Sequence, residues 1–377
     1  MKKKVYVLLF ATLLGLTGCG GTNESDVSEE IAMKLEYSDG ELQGDKLELQ
    51  KYTLTYPKEA SLSTFCVKDE MIYYGLVYSV PFESATSEED VPEFIPEYNT
   101  QIRSCNMQNG EEQVLYTYNA EHYIEISDMC CNGETLVWED YNEDDTWWRV
   151  QKMELSELES AEVLFDSNSE GKEFSAVTLS LTEKELYWYN MNQEDKHPIE
   201  LWCYNLETQE KEMKQSALDT TSPYEHMNVV KDNCVTYKEE QDGKTTILVS
   251  DEKGRENRIT VAGEVSNPIC DGRYCAWMGG YDYNERDYVM VYDLKEGELQ
   301  KIDGAYVFSY GLVNECVILN REDGLWAYDL AENTKELLLE GDGVTCCFTT
   351  ETSDGNLYMD DYAGHEGSSV VYSLIGR

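Results

Sequence analysis

Short runs of alternating apolar and polar residues, separated by turn residues, dominate this chain, and long helical periods are scarce. One kind of run ends in an aromatic or large apolar residue. It occurs as Met71-Ile72-Tyr73-Tyr74, Leu136-Val137-Trp138, Leu186-Tyr187-Trp188, Val235-Thr236-Tyr237, Tyr274-Cys275-Ala276-Trp277, Cys316-Val317-Ile318-Leu319 and Leu357-Tyr358-Met359. Several copies follow a turn-forming pair, as in Asn132-Gly133, Asp271-Gly272 and Asp354-Gly355. The runs end at positions 74, 138, 188, 237, 277, 319 and 359. The late spacings match the ~40–45 residues of one repeat in a radial β architecture. The long first interval holds an insertion near Ser79–Asn99, rich in Pro and Glu.

A second unit follows each first one. Leu201-Trp202-Cys203-Tyr204-Asn205-Leu206 matches Val289–Leu294, Leu325–Leu330 and the terminal Val370–Leu374, with weaker copies at Ile102–Met107, Trp148–Leu155 and Ile247–Asp251. A turn and a third short run, such as Lys335–Leu339, come next, and a weak apolar run precedes each repeat. The repeat therefore reads as a four-stranded antiparallel blade. A single blade cannot bury both faces, so blades must stack. The expected fold is all-β: a seven-bladed β-propeller of four-stranded blades over residues 45–377. The seventh repeat lacks an outer strand, while Lys46–Tyr56 has no blade of its own. The ring is therefore expected to close by pairing Lys46–Tyr56 beside Ser368–Leu374. The tandem units resemble TolB-like and related bacterial propellers, most closely at Leu201–Leu206, Val289–Leu294 and Leu325–Leu330. The Ser-Pro-Asp-Gly lead-in usual in TolB and its N-terminal α/β domain are missing, and the resemblance implies a fold and no reaction.

The chain starts with Met1 and three lysines, followed by an apolar run from Val5 to Leu16. That is the layout of an export signal, too short to span a bilayer. Leu16-Thr17-Gly18-Cys19 resembles the bacterial lipobox. The resemblance implies cleavage after residue 18 and a lipidated Cys19 that holds the protein on the extracytoplasmic face of the cell membrane. Residues 19–44, rich in Glu, Asp, Ser and Gly, read as a flexible acidic linker.

Charge narrows the choice of partners. The net charge is -46; without the three lysines of residues 1–18 the balance is 26 basic against 75 acidic side chains. Such a surface repels phosphate backbones, which makes nucleic acid a poor partner and leaves cations, basic peptides and glycans. Of the 12 cysteines, Cys66, Cys130, Cys131 and Cys270 fall seven or eight residues before the end of their first unit. Cys234 and Cys316 fall three before theirs. Recurrence at matched positions reads as buried packing thiols, with one or two disulfides as the alternative. Adjacent Cys130 and Cys131 should face opposite ways.

A near-duplicate carries the candidate chemistry. Asp140-Tyr141-Asn142-Glu143-Asp144-Asp145 and Asp282-Tyr283-Asn284-Glu285-Arg286-Asp287 both fall at the hairpin between second and third strands. Oxygens of Asp140, Asn142 and Asp144 are weak candidates for holding calcium, although the EF-hand pattern fails: its Gly position is Asp145 and its final Glu position is Gln151. Aromatic neighbours Tyr141, Trp147, Trp148, Tyr281 and Tyr283, beside Asp140, Asp282, Asn284 and Asp287, suit sugar stacking as well as strand-end packing. Four histidines sit in no nucleophile motif, and with 75 acids a close carboxylate pair carries no signal. The expected function is non-catalytic binding of an envelope protein or glycan, with the membrane reached through the lipid. The alternatives are an enzyme on extracellular glycan or peptide that uses carboxylates at the channel mouth, and a scaffold of an envelope complex.

Overall fold

The computed structural model describes residues 23–28, 33–34, 37–39, 42, 46–58, 60–78, 99–118, 124–142, 147–158, 160–167, 174–192, 199–218, 227–230, 233–239, 244–250, 255–262, 265–279, 288–303, 307–340, 346–349, 357–365 and 367–376. The signal segment and Cys19 lie outside them. Every element among the described residues is a strand, and no helix there is long and apolar enough to cross a membrane.

Ahead of the repeats come β1 (Asn23–Ser28), β2 (Met33–Lys34), β3 (Ser38–Asp39) and β4 (Leu47–Thr55). The first sheet is β5 (Ala60–Lys68), β6 (Met71–Tyr78), β7 (Gln101–Asn106) and β8 (Glu112–Thr117). The second is β9 (Glu125–Cys131), β10 (Thr135–Asn142), β11 (Trp147–Glu154) and β12 (Ala161–Asp166). The third is β13 (Phe174–Leu181), β14 (Glu185–Asn192), β15 (Ile199–Asn205) and β16 (Lys211–Leu218). In the fourth, β17 (Met227–Val230), β18 (Asn233–Glu239), β19 (Lys244–Ser250) and β20 (Glu256–Ala262) are joined by β1. In the fifth, β21 (Ser266–Cys270), β22 (Tyr274–Gly279), β23 (Tyr288–Asp293) and β24 (Glu298–Asp303) are joined by β2. In the sixth, β25 (Val307–Val313), β26 (Cys316–Arg321), β27 (Gly324–Asp329) and β28 (Thr334–Glu340) are joined by β3. The last holds β29 (Cys346–Thr349), β30 (Leu357–His365), β31 (Ser368–Gly376) and, as its outer strand, β4. The protein is a β-propeller of four-stranded blades. Each aromatic-ending run of the sequence is a second strand, and each Tyr-Asp-Leu-type unit is a third strand. Antiparallel β4 runs beside β31, from Ser368↔Thr55 to Gly376↔Leu47.

The recurring Asp or Asn has a local cause. At the end of a third strand, Asn106, Asn205, Asp293 and Asp329 each accept two backbone N–H groups from the following turn through Oδ1. This is the Asx device that lets a side chain organise a turn. Each turn closes on a residue of positive φ, namely Gly110, Gln209, Gly297 and Asn333. The next apolar residue, Met107, Leu206, Leu294 or Leu330, donates its N–H to a carbonyl in the hairpin between first and second strands. Both hairpins therefore share one end of the blade, called the turn end below. The hairpins between second and third strands lie at the other.

Burial follows the alternation of strand side chains. Ile102, Leu115 and Tyr118 of the first sheet and its exit pack with Met129, Leu136 and Trp138 of the second. Val137 and Trp148 pack with Leu186 and Trp188 of the third. Similar clusters join the fourth sheet to the fifth, the fifth to the sixth and the sixth to the last. Another brings Leu54 and Val371 of the last sheet against Phe65, Ile72 and Tyr74 of the first. Cys131 belongs to the first of these clusters and Cys130 to the second, on opposite faces as alternation requires.

The expected linker at 19–44 is structured in part. β1 pairs in parallel with β20 from Asn23↔Asn257 to Ser28↔Ala262, β2 with β24, and β3 with β28. A polar segment can do this because an outer strand presents unpaired N–H and C=O groups that accept main chain regardless of side chain.

Candidate functional site

The site lies where the second sheet meets its hairpin at 143–146. Tyr141 pairs with Trp148, Asn142 with Trp147, and Asp140 with Arg149. Asp140 thus belongs to strand β10, not to a solvated loop, and its side chain is fully buried. Arg149 grips it with Nε donating to Oδ1 at 2.9 Å and Nη2 donating to Oδ2 at 2.9 Å, a two-pronged charge-assisted contact. Gln151 Nε2 donates to the same Oδ2 at 2.9 Å. Tyr118 OH lies beside the group, receiving Trp138 Nε1–H at 2.7 Å and Gln151 Nε2–H at 3.5 Å. Burial pushes the Asp140 carboxyl up, against the downward pull of Arg149, Tyr118 and Gln151. Both oxygens of Asp140, one of the residues proposed for a cation, are therefore directed at protein donors. Gln151, which breaks the EF-hand pattern, is one of those donors.

The aromatic residues divide by parity. Trp148 is buried in the seam between second and third sheets, edge-on to Phe165 with ring centres 6.2 Å apart. It is core and not part of a binding face, because alternation turns it inward. Trp147 faces the other seam, half-buried, with the Arg149 guanidinium 4.8 Å from its ring centre. Tyr141 is half-buried and donates its hydroxyl to Glu125. Asn142 closes β10. Asp144, Tyr281, Asp282, Tyr283, Asn284 and Asp287 lie outside the described residues.

The neighbouring residue on β10 carries a different chemistry. Glu139 points to the opposite face from Asp140, is buried, and accepts the Ser127 hydroxyl. Burial raises its carboxyl to about 8 despite that hydrogen bond, with Asp128 and Asp140 adding to the rise. Asp128, raised by burial to about 6, accepts Met129 N–H at 2.7 Å and Leu179 N–H at 2.6 Å. Leu179 sits at the β13 bulge between Val177 and Ser180, where the ladder leaves its N–H for another acceptor. The second blade thus holds an ion pair at one face and, at the other, an acid whose carboxyl burial pushes up to about 8.

Counting the hairpin outward from 143–146 pairs Asp140 with Arg149 and was the available signal for that contact. Glu139, Asp128, Tyr118 and Ser127 carry no motif, and only packing brings them in. Among the described residues there is no cluster of three or more His, Cys, Asp or Glu poised for a metal.

No family model matches the chain, and no curated protein matches it significantly. Solved structures do match in fold. The β-propeller domain of the trilobed protease from Pyrococcus furiosus, which has an open velcro topology, is 15% identical over 80% of this chain and 91% of that one, with a TM-score of 0.54. An acylaminoacyl peptidase from Pyrococcus horikoshii is 15% identical over 81% of this chain, with a TM-score of 0.52. The match spans about half, 51%, of that peptidase's length. A chain from the S. cerevisiae assembly of Dbp5, Nup159 and Gle1 is 9% identical over 94% of this chain and 100% of that one, with a TM-score of 0.52.

Proposed function

We propose that this protein is a lipid-anchored, extracytoplasmic β-propeller that binds an envelope protein or glycan through the hairpin end of its blades. The seven sheets are read as one ring of seven blades, closed by β4. The seam uniting Leu54 and Val371 with Phe65, Ile72 and Tyr74 supports closure, as does the nine-pair register of β4 on β31.

The observation that carries the orientation is where β1 begins. Asn23 pairs with Asn257 near the start of β20, at the turn end of the fourth sheet. Only three residues lie between Cys19 and Asn23, four chain steps with a reach of about 14 Å at full extension. A lipid on Cys19 therefore draws the turn end toward the bilayer. The opposite end, with Tyr141, Trp147 and Arg149, faces outward. The half-buried Trp147 indole beside a guanidinium is suited to stack on a sugar face or an apolar side chain.

The peptidase likeness supports a second reading, an enzyme on extracellular peptide or glycan. Against it, the match spans nearly all of an isolated propeller domain but about half of a whole peptidase. The experiment uses cells and purified protein. Cys19→Ala is expected to move the protein from the membrane fraction to the medium; retention on the membrane defeats the anchor. Thermal melts against soluble cell-wall fragments, simple sugars and calcium are expected to show a shift that Trp147→Ala removes. An unshifted melt with steady co-purification of one membrane protein favours the scaffold. Turnover of a labelled polysaccharide or peptide, abolished by one Asp or Glu change, establishes the enzyme instead.

A further inference from the structure

Two thiols of the fifth sheet face each other across a hairpin. Cys270 ends β21, Cys275 is the second residue of β22, and the two are register partners. Both are fully buried in the seam between fourth and fifth sheets, with Trp277, Met290 and Val249. The adjacent pair settles the geometry. Asp271 N–H donates to the Tyr274 carbonyl at 3.1 Å, making these two a hydrogen-bonded pair. Cys270 and Cys275, one step further along the ladder, are then a non-hydrogen-bonded pair. In such a pair the Cα atoms stand about 4.5 Å apart and the side chains lean together. A disulfide accepts Cα separations of roughly 4.4–6.8 Å.

Among the described residues, the other close thiols lack this arrangement. Cys130 and Cys131 are chain neighbours on opposite faces, and Cys66 and Cys131 belong to different sheets with no shared ladder.

We propose that Cys270 and Cys275 are a redox site that forms a cross-strand disulfide with a low-molecular-weight disulfide as oxidant. One cysteine loses its proton and attacks a sulfur of the oxidant, releasing one small thiolate and leaving a mixed disulfide. The second cysteine loses its proton, attacks the protein sulfur of that mixed bond and expels the other small thiolate. Both small thiolates take up the released protons. Two protein thiols are oxidised by two electrons, and one small disulfide is reduced to two thiols. Burial holds the Cys275 thiol well above its ordinary value, so exchange in the closed seam is slow. The bond forms before the fourth and fifth sheets close, or when they part. It then staples the hairpin that carries Arg273, whose guanidinium bonds Glu315 of the sixth sheet and approaches Asp293 within 3.6 Å.

The test uses the purified full chain and so stands apart from the export reading. The protein is refolded from urea in oxidised plus reduced glutathione, quenched in acid, unfolded, alkylated and digested without reduction. The expected result is one cross-linked peptide joining Cys270 to Cys275, with both positions missing from the alkylated set. Cys275→Ala is expected to abolish that peptide, while Cys105→Ala retains it. Wild-type protein left folded in the same buffer is expected to form the link many-fold more slowly than protein refolded through it. Full alkylation of Cys270 and Cys275 after oxidative refolding overturns the proposal, as does their appearance in links to other cysteines. Both readouts use the wild-type chain and do not depend on the variants folding.

Discussion

Asp140 and Glu139 show how one step along a strand separates two fates for a carboxyl group. Asp140 meets Arg149 and Gln151, whose donors bond both of its buried oxygens. Glu139 meets only a hydroxyl, with Asp128 nearby, and burial keeps it protonated to about pH 8. The sign of its effect on stability follows. The unfolded chain ionises this group above about 4.5 while the folded chain keeps it neutral. Its contribution is therefore complete below that value and is lost as pH rises toward 8. A displacement of this size corresponds to roughly 3–5 kcal/mol at its upper limit. Glu139→Gln, which keeps shape and removes the ionisation, is expected to match the wild type near pH 4 and exceed it by about 1–3 kcal/mol at pH 8. Urea unfolding at both pH values measures the difference. A constant offset would mean that the Glu139 carboxyl titrates in the fold as it does in the unfolded chain, with no upward shift.

At the scale of the element, the blades are shaped by turns and outer edges. The Asx side chain at the end of a third strand fixes where the chain reverses. The bond from the next apolar residue to the first hairpin ties the two hairpins together. The outer strands carry equivalent exposed apolar residues, Val114, Val163 and Met213, on β8, β12 and β16. Charged neighbours such as Glu112, Glu162 and Lys211 limit pairing with other chains at those edges. On the fourth, fifth and sixth sheets the leading segment itself occupies the edge. Its removal by deleting residues 20–36 is expected to speed amide hydrogen exchange along Glu256–Ala262. Exchange along Ala161–Asp166, an edge that the segment does not touch, is expected to stay the same. Equal exchange at both sites with and without the deletion would show that β1 does not protect β20.

At the scale of the whole molecule, stability comes from sheets pressed face to face, with clusters of buried apolar side chains at six junctions among the described residues. β4 belongs to two neighbourhoods at once. Its backbone completes the last sheet and its Leu54 side chain packs on the first. Leu54→Ala is expected to cost about 2–5 kcal/mol, because the cavity opens in a seam with little freedom to collapse. Chemical denaturation measures the loss. A change below about 1 kcal/mol would mean that β4 is not integral to the core.

The strands were legible because alternation and turn chemistry are local: Leu136–Trp138 or Val289–Leu294 declares its element from a handful of neighbours. The place of β4 was legible too, from a last repeat short of one strand and an early strand without a blade. Side-chain partners across a seam were not. Trp147 and Trp148 look alike in a string of letters, yet one step of the pleat sends Trp148 into the core and leaves Trp147 at the rim. Asp140 read as a loop ligand until Arg149 and Tyr118 closed on it. The polar residues 23–28 read as linker because main-chain pairing at an outer edge leaves no mark in side-chain pattern. The sequence by itself therefore determined which segments are strands and how they repeat, since that depends on each residue's nearest neighbours. Only the tertiary structure decided which acids are neutralised, which aromatics are buried and which thiols meet, since those depend on strand register, on which face of a sheet a side chain takes and on what the neighbouring sheet packs against it.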